Sequence, residues 1–146
     1  MYLIYTRLIY VSILSLLLSS ACTKKDQIPS IVPGPAIPGL NLSGGFDCVQ
    51  FGFMKLKQVG GKVTGTYDGM RGNGDNGTIA GIIEGDLLRI EWKQPGKPEA
   101  AIFPLKGKAW LRIKEKGTVL EGKWGYEESD EDGGNWKAEK SQFFVE

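Results

Sequence analysis

No histidine occurs anywhere in the 146-residue sequence. That absence removes the side chain most used for proton transfer near neutral pH, the commonest transition-metal ligand, and any catalytic triad built on an imidazole. Serine–lysine and paired-carboxylate chemistry have no recognisable motif here. Cysteine is scarce, with Cys22 and Cys48 the only two. Cys48 sits in the strand-like run FDCVQ, where a cysteine is ordinarily a small buried apolar group and not a nucleophile. Charge of one sign is lacking too: the chain has 18 basic and 17 acidic residues, and Arg7 is the sole charge in residues 1–21. The remainder is neutral, which argues against a nucleic-acid binder that depends on a concentrated basic surface. Helical amphipathic windows are absent.

Two loops rich in oxygen ligands or glycine were weighed for chemistry. Glu127 to Asn135 concentrates five acids, and Asn73 to Gly77 resembles half of a calcium loop. Neither has the alternating ligand spacing of a dedicated calcium site. Gly69 to Gly77, GMRGNGDNG, precedes neither lysine–serine nor a helix, so it is a flexible turn and not a phosphate cradle. No catalytic residue, metal ligand or cofactor is expected.

The stretch Lys62 to Trp92 organises the chain. Val63, Gly65 and Tyr67 share one face at period two, as do Ile79, Gly81 and Ile83, and Leu120, Gly122 and Trp124 make a third copy. Glycines inside strands mark bends or close approaches. On an inward face they either leave room for Tyr67, Trp92 and Trp124 or open a ligand cavity beside them. The expected strands are Phe46 to Gln58, Lys62 to Tyr67, Thr78 to Glu84, Leu87 to Trp92, Ala100 to Leu105, Lys108 to Lys114, Val119 to Tyr126 and Trp136 to Phe144. Tight turns are expected at Gly60-Gly61, Gly85-Asp86 and Lys116-Gly117.

The fold class is therefore all-β: an antiparallel up-and-down meander of about eight strands, a closed or nearly closed small barrel over residues 46–146. Leu88, Ile90 and Trp92 face in, opposite Leu87, Arg89 and Glu91. Ala109, Leu111 and Ile113 face in, which puts Trp110 on the charged outer face. There it either lies on the aliphatic stems of Arg112 and Lys114 or contacts a partner. In the first strand both Met54 with Leu56 and Phe51 with Phe53 look apolar, and Gly52 marks a bulge that switches register.

Residues 1–21 carry Arg7, an apolar run from Leu8 to Leu18 and the small residues Ser19, Ser20 and Ala21, the pattern of a signal peptide. The apolar run is about half of the ~20 residues that a spanning helix needs. Thr23 to Gly45 holds four of the seven prolines and reads as an extended tether, so that 22–45 links a membrane anchor to the barrel.

With Leu18-Ser19-Ser20-Ala21-Cys22, this segment resembles the lipobox of bacterial lipoproteins. The resemblance implies that Cys22 becomes the acylated first residue, and that Thr23 in place of aspartate directs the protein to the outer membrane. Ser19 stands where that family usually has leucine. Ser19 and Ala21 also satisfy the small-x-small rule of ordinary cleavage, which would release a soluble protein with Cys22 and Cys48 free to pair. The Val63-Thr-Gly-Thr-Tyr67 piece and its flanking strands are similar to avidin-like and other calycin barrels, although no biotin-binding set can be matched. The expected function is a non-enzymatic, lipid-anchored cell-envelope protein. Its barrel binds a small apolar or amphipathic ligand through Tyr67, Trp92 and Trp124, or a protein partner through Trp110. The alternative is a periplasmic inhibitor of a hydrolase, acting through its loops.

Overall fold

The computed structural model describes residues 31–68 and 77–142. Eight antiparallel strands follow one another around a closed barrel: β1 (Gly44–Cys48), β2 (Gly52–Val59), β3 (Lys62–Tyr67), β4 (Gly77–Glu84), β5 (Leu87–Lys93), β6 (Lys106–Lys114), β7 (Val119–Trp124) and β8 (Gly134–Lys140). Each strand pairs with the next in sequence, and β8 returns to β1 through Phe46–Lys140 and Cys48–Ala138. Closure leaves no unpaired strand edge. The two-residue turns lie at Gly60-Gly61 and Gly85-Asp86, where Gly60 and Gly85 adopt φ of 60° and 61°. A left-handed backbone is cheap only for glycine. The third turn is longer than a Lys116-Gly117 hairpin: it is a single 3₁₀ turn, Glu115–Gly117, followed by Thr118.

Two differences from the sequence reading cancel in the strand count. Phe46 to Gln58 is two strands, because Val49, Gln50 and Phe51 form a turn and Cys48 pairs with Gly52. Gly52, at φ 74°, closes that turn and does not switch the register of one strand. Met54 and Leu56 then face the core. Ala100 to Leu105 is not a strand. Pro104 falls inside it and Gly96 and Pro98 just before it, Pro98–Ala100 makes one 3₁₀ turn, and Ile102 and Phe103 are exposed. Proline lacks the donor that a ladder needs, so an apolar run between two prolines cannot extend the sheet. β7 stops at Trp124 and β8 at Lys140; Phe143 and Phe144 lie outside the described residues.

Inward positions alternate as expected: Val63 and Tyr67, Leu88, Ile90 and Trp92, and Ala109, Leu111 and Ile113 are all buried. The glycines among them serve close approach of backbone. A Cβ on Gly65 would strike the Lys55 carbonyl, and one on Gly122 the Trp110 carbonyl, while at Gly81 it would lie 2.5 Å from the Arg89 carbonyl oxygen. Neighbouring strands thus coil into the space a side chain would occupy, which lets a sheet this small close.

Part of the expected tether belongs to the barrel unit. Contacts divide the chain between Ile31 and Val32, and residues 32–43 form a strap across the end that carries the tight turns. Leu42 is fully buried there, with Ile37 and Leu40 packed against the core. Gln58 holds the strap: its Nε2 donates to the Leu40 carbonyl at 3.2 Å, its Oε1 accepts from Leu42 N at 2.8 Å, and its backbone N donates to Ser43 Oγ at 3.0 Å. Farther along, Gly34 N donates to Asp86 Oδ1 at 2.6 Å, Arg112 pairs with the same carboxylate, and Arg112 also donates to the Val32 carbonyl. Leu87, expected on the outer face, is fully buried. It sits beside Asp86 and opposite Arg112 in register, at the anchor of the strap.

Candidate functional site

The barrel's two ends differ. The turns between β2 and β3, β4 and β5, and β6 and β7 are tight and capped by the strap. The opposite end carries Val49–Phe51, the β5–β6 loop 94–105 and the β7–β8 loop 125–133. Gly69 to Asn76, a candidate loop in the sequence reading, lies outside the described residues.

Tyr67 ends β3, Trp92 stands near the end of β5, and Trp124 ends β7, so antiparallel order brings all three to the loop end. Four aromatics missed by the sequence reading, Phe51, Phe103, Tyr126 and Trp136, complete a continuous path. Trp136 of β8 lies 6.2 Å from Tyr67 and 4.5 Å from Phe51, and Phe51 meets Trp124 edge to face at 5.0 Å. Trp124 contacts Trp92 at 5.8 Å and Tyr126 at 5.0 Å, and Phe103 stacks on Tyr126 at 5.8 Å with the planes 14° apart. The signal for these partners was the position of each aromatic at the same strand end, which requires the correct strand boundaries.

The inner members fill the mouth. Tyr67, Trp92 and Trp136 are 4%, 5% and 1% exposed, so these rings occupy the volume that the sequence reading left open for a ligand. Gly77 and Gly107 admit them: a Cβ on Gly77 would overlap the Tyr67 ring, and one on Gly107 would lie 2.7 Å from Trp92. Trp92 Nε1 donates to the Gly125 carbonyl at 3.1 Å, tying the β7–β8 loop to the plug. Burial pushes the Tyr67 phenol up to about 12. It also raises the Cys48 thiol, against weaker opposition from the backbone of Phe51 and Gln50, so Cys48 is an inert buried group. The outer members are half-buried at Phe51, Trp124 and Tyr126, and exposed at Phe103.

Trp110 does not join this cluster. It lies half-buried on the outer wall, with Arg89 and Lys123 as its cross-strand partners, and its ring edge rests over Gly122. Its Nε1 is buried without a hydrogen-bond partner among the described residues. Cys22 lies outside the described residues.

The acidic loop is held from within. Glu128 pairs with Lys108, Glu131 Oε2 accepts from Lys123 Nζ at 3.1 Å, and Asp132 Oδ1 accepts from Tyr126 N at 2.8 Å. The hydrogen bond and charge of Lys108 hold the Glu128 carboxyl below its ordinary range. Repulsion among the acids is thus relieved by lysines of the chain itself, and no cluster among the described residues has the make-up of a metal site. Comparison with protein-family models, with curated proteins and with solved structures found no significant match.

Proposed function

We infer that the chain is a non-enzymatic, membrane-anchored binding module whose recognition surface is the loop end of the barrel. The observation that carries this reading is the aromatic path, which starts in the core at Trp136 and reaches the surface only beside loops, where Phe103 is 63% and Ile102 91% exposed. Aromatic anchors on a rigid base lose little conformational freedom on binding and dominate interface energetics. The strap supports the same arrangement. It crosses the end away from the loops, fastened at Gln58 and Asp86. Two or three acyl chains on Cys22 would suffice to anchor the protein in the cell envelope, and Thr23 favours the outer membrane.

The test is native mass spectrometry of the protein extracted gently from its host membranes. A non-covalent mass or partner lost on denaturation, present in wild type and absent from a folded Phe103→Ser, Tyr126→Ser double variant, is the expected result. Retention of the same mass by that variant would refute the site.

Inhibition of a hydrolase by the loops is a second reading of the same end. It is favoured by the fastening of the acidic loop through Lys108, Lys123 and the Tyr126 amide, since a pre-ordered loop binds without a large ordering cost.

A further inference from the structure

The β5–β6 loop adds a groove of about 540 Å³ to the loop end. Gln94 N donates to the Leu105 carbonyl at 2.7 Å, and Ala100 N to the Lys97 carbonyl at 3.0 Å, so the loop is a folded element. Its apolar walls are Pro98, Ile102, Phe103, Pro104 and Leu105, and Phe103 is held flat against Tyr126. The groove lies outside the barrel wall, separate from the filled interior.

Its rim is basic in a way the sheet does not need. Lys93 and Lys106 line it and are direct cross-strand partners, both on the outer face. Like charges directly opposite on adjacent strands destabilise the pair. Neither lysine makes an ion pair among the described residues, and Glu128, which Lys106 influences, is already bound to Lys108. Lys97, exposed on the loop, adds a third positive charge, against Glu99 on the loop and Glu127 on the groove wall. Glu127 offsets the opposed lysines only in part, and a local rule broken in the sheet points to a function that the broken rule serves.

We propose that this groove binds a single-chain amphipath with an anionic head, the head between Lys93 and Lys106 and the acyl chain along Ile102, Phe103 and Leu105. The inference rests on the loop-end reading above and names its ligand class. Charge complementarity selects the head and the apolar wall selects the chain. An anionic bilayer fits less well, because Glu127, Glu128, Asp130, Glu131 and Asp132 stand at the same end and would meet that surface together.

The test uses the full chain carrying Cys22→Ser, which removes the thiol that would be acylated, with laurate below its micelle concentration as probe. Tryptophan emission should report one laurate per chain, with affinity falling as salt rises. A Lys93→Gln, Lys106→Gln variant should bind about tenfold more weakly, as the loss of two rim charges implies, yet melt no lower than the parent because the like-charge contact is gone. Dodecyltrimethylammonium, of the same chain length, should bind more weakly than laurate.

Equal binding of the cationic probe, unchanged laurate affinity in the lysine variant, or capture by anionic phospholipid vesicles without binding of monomeric laurate would each overturn the proposal. If laurate fails but the native protein still sheds a Phe103-dependent mass, the ligand class falls and the loop-end site stands. If both fail, so does the site.

Discussion

Leu42 lies in a proline-rich stretch that sequence alone reads as a tether, yet it is fully buried at the strapped end of the barrel. Gly117 lies so close beneath the strap that an added Cβ would be 2.8 Å from Leu40 Cδ1 and 3.2 Å from Leu42 Cδ2. Leu42→Ala removes three buried carbons, about 2.4 kcal/mol of transfer free energy at ~0.8 kcal/mol each. The gap they leave, bounded by backbone that cannot collapse easily, adds a cavity term, so the expected loss is about 3–4 kcal/mol within the usual range for such truncations. For a unit of this size that lowers the melting temperature by roughly 12–20 °C. Thermal and urea unfolding followed by tryptophan emission would measure it. Val32→Ala, at a position 73% exposed in the same strap, should stay within about 0.5 kcal/mol of wild type. A Leu42→Ala protein that unfolds with wild type would refute the strap and restore the tether over residues 22–45.

The remaining predictions concern glycine, ionisation and the thiol. Gly65→Ala should destabilise by more than about 2 kcal/mol in urea titration, since its Cβ collides with the Lys55 carbonyl; Gly61→Ala, whose Cβ would approach nothing nearer than the Ile83 carbonyl at 3.9 Å, should be neutral. The Asp86 carboxyl is held below its ordinary range, first by the Gly34 amide and then by Arg112. Its contribution is therefore complete above the ordinary carboxylate range and disappears as pH falls through the lowered value; Asp86→Asn should flatten this acid limb of stability against pH. The Tyr67 phenol, raised to about 12, should remain unionised in ultraviolet titration at pH 11 while an ordinary tyrosine at about 10 has titrated, and stability should fall as pH rises from 10 to 12. Cys48 should resist alkylation until the barrel opens, and rapid labelling of the folded protein would contradict its burial.

How much of this was legible follows from which rules are local. Period-two alternation in β3, β5 and β6 is local, and there the expected inward residues from Val63 to Ile113 are buried, with Leu87, covered at the strap's anchor, the exception among the outward ones. The glycine turns at Gly60 and Gly85 are local as well. Phe46 to Gln58 misled because Val49 and Phe51 continue an alternating strand-like pattern around Gln50, and only the return of Gly52 against Cys48 makes the turn visible. Ala100 to Leu105 misled for the opposite reason: an apolar run resembles a strand until the prolines around it are weighed against the donors a ladder requires. The strap could not be read locally at all. Ile37, Leu40 and Leu42 are scattered among prolines, glycines and polar residues without strand or helix periodicity, and the strap that buries Leu42 is held by Gln58, Asp86 and Arg112, which come from elsewhere in the chain.

The same distinction explains why the candidate site moved outward. Inward glycines beside Tyr67, Trp92 and Trp124 allow two readings from sequence, room for those rings or a ligand cavity. The space at Gly65, Gly81 and Gly122 is instead taken up by carbonyls of the adjoining strands, and the space at Gly77 and Gly107 by the rings of Tyr67 and Trp92. The glycines among the described residues thus serve closure and the seating of aromatics, and the buried rings of Tyr67, Trp92 and Trp136 fill the mouth of the barrel. The loop end joins a ring-packed base to an exposed rim at Ile102 and Phe103, and under the proposal above the opposed Lys93 and Lys106 are where that rim would meet a negatively charged head.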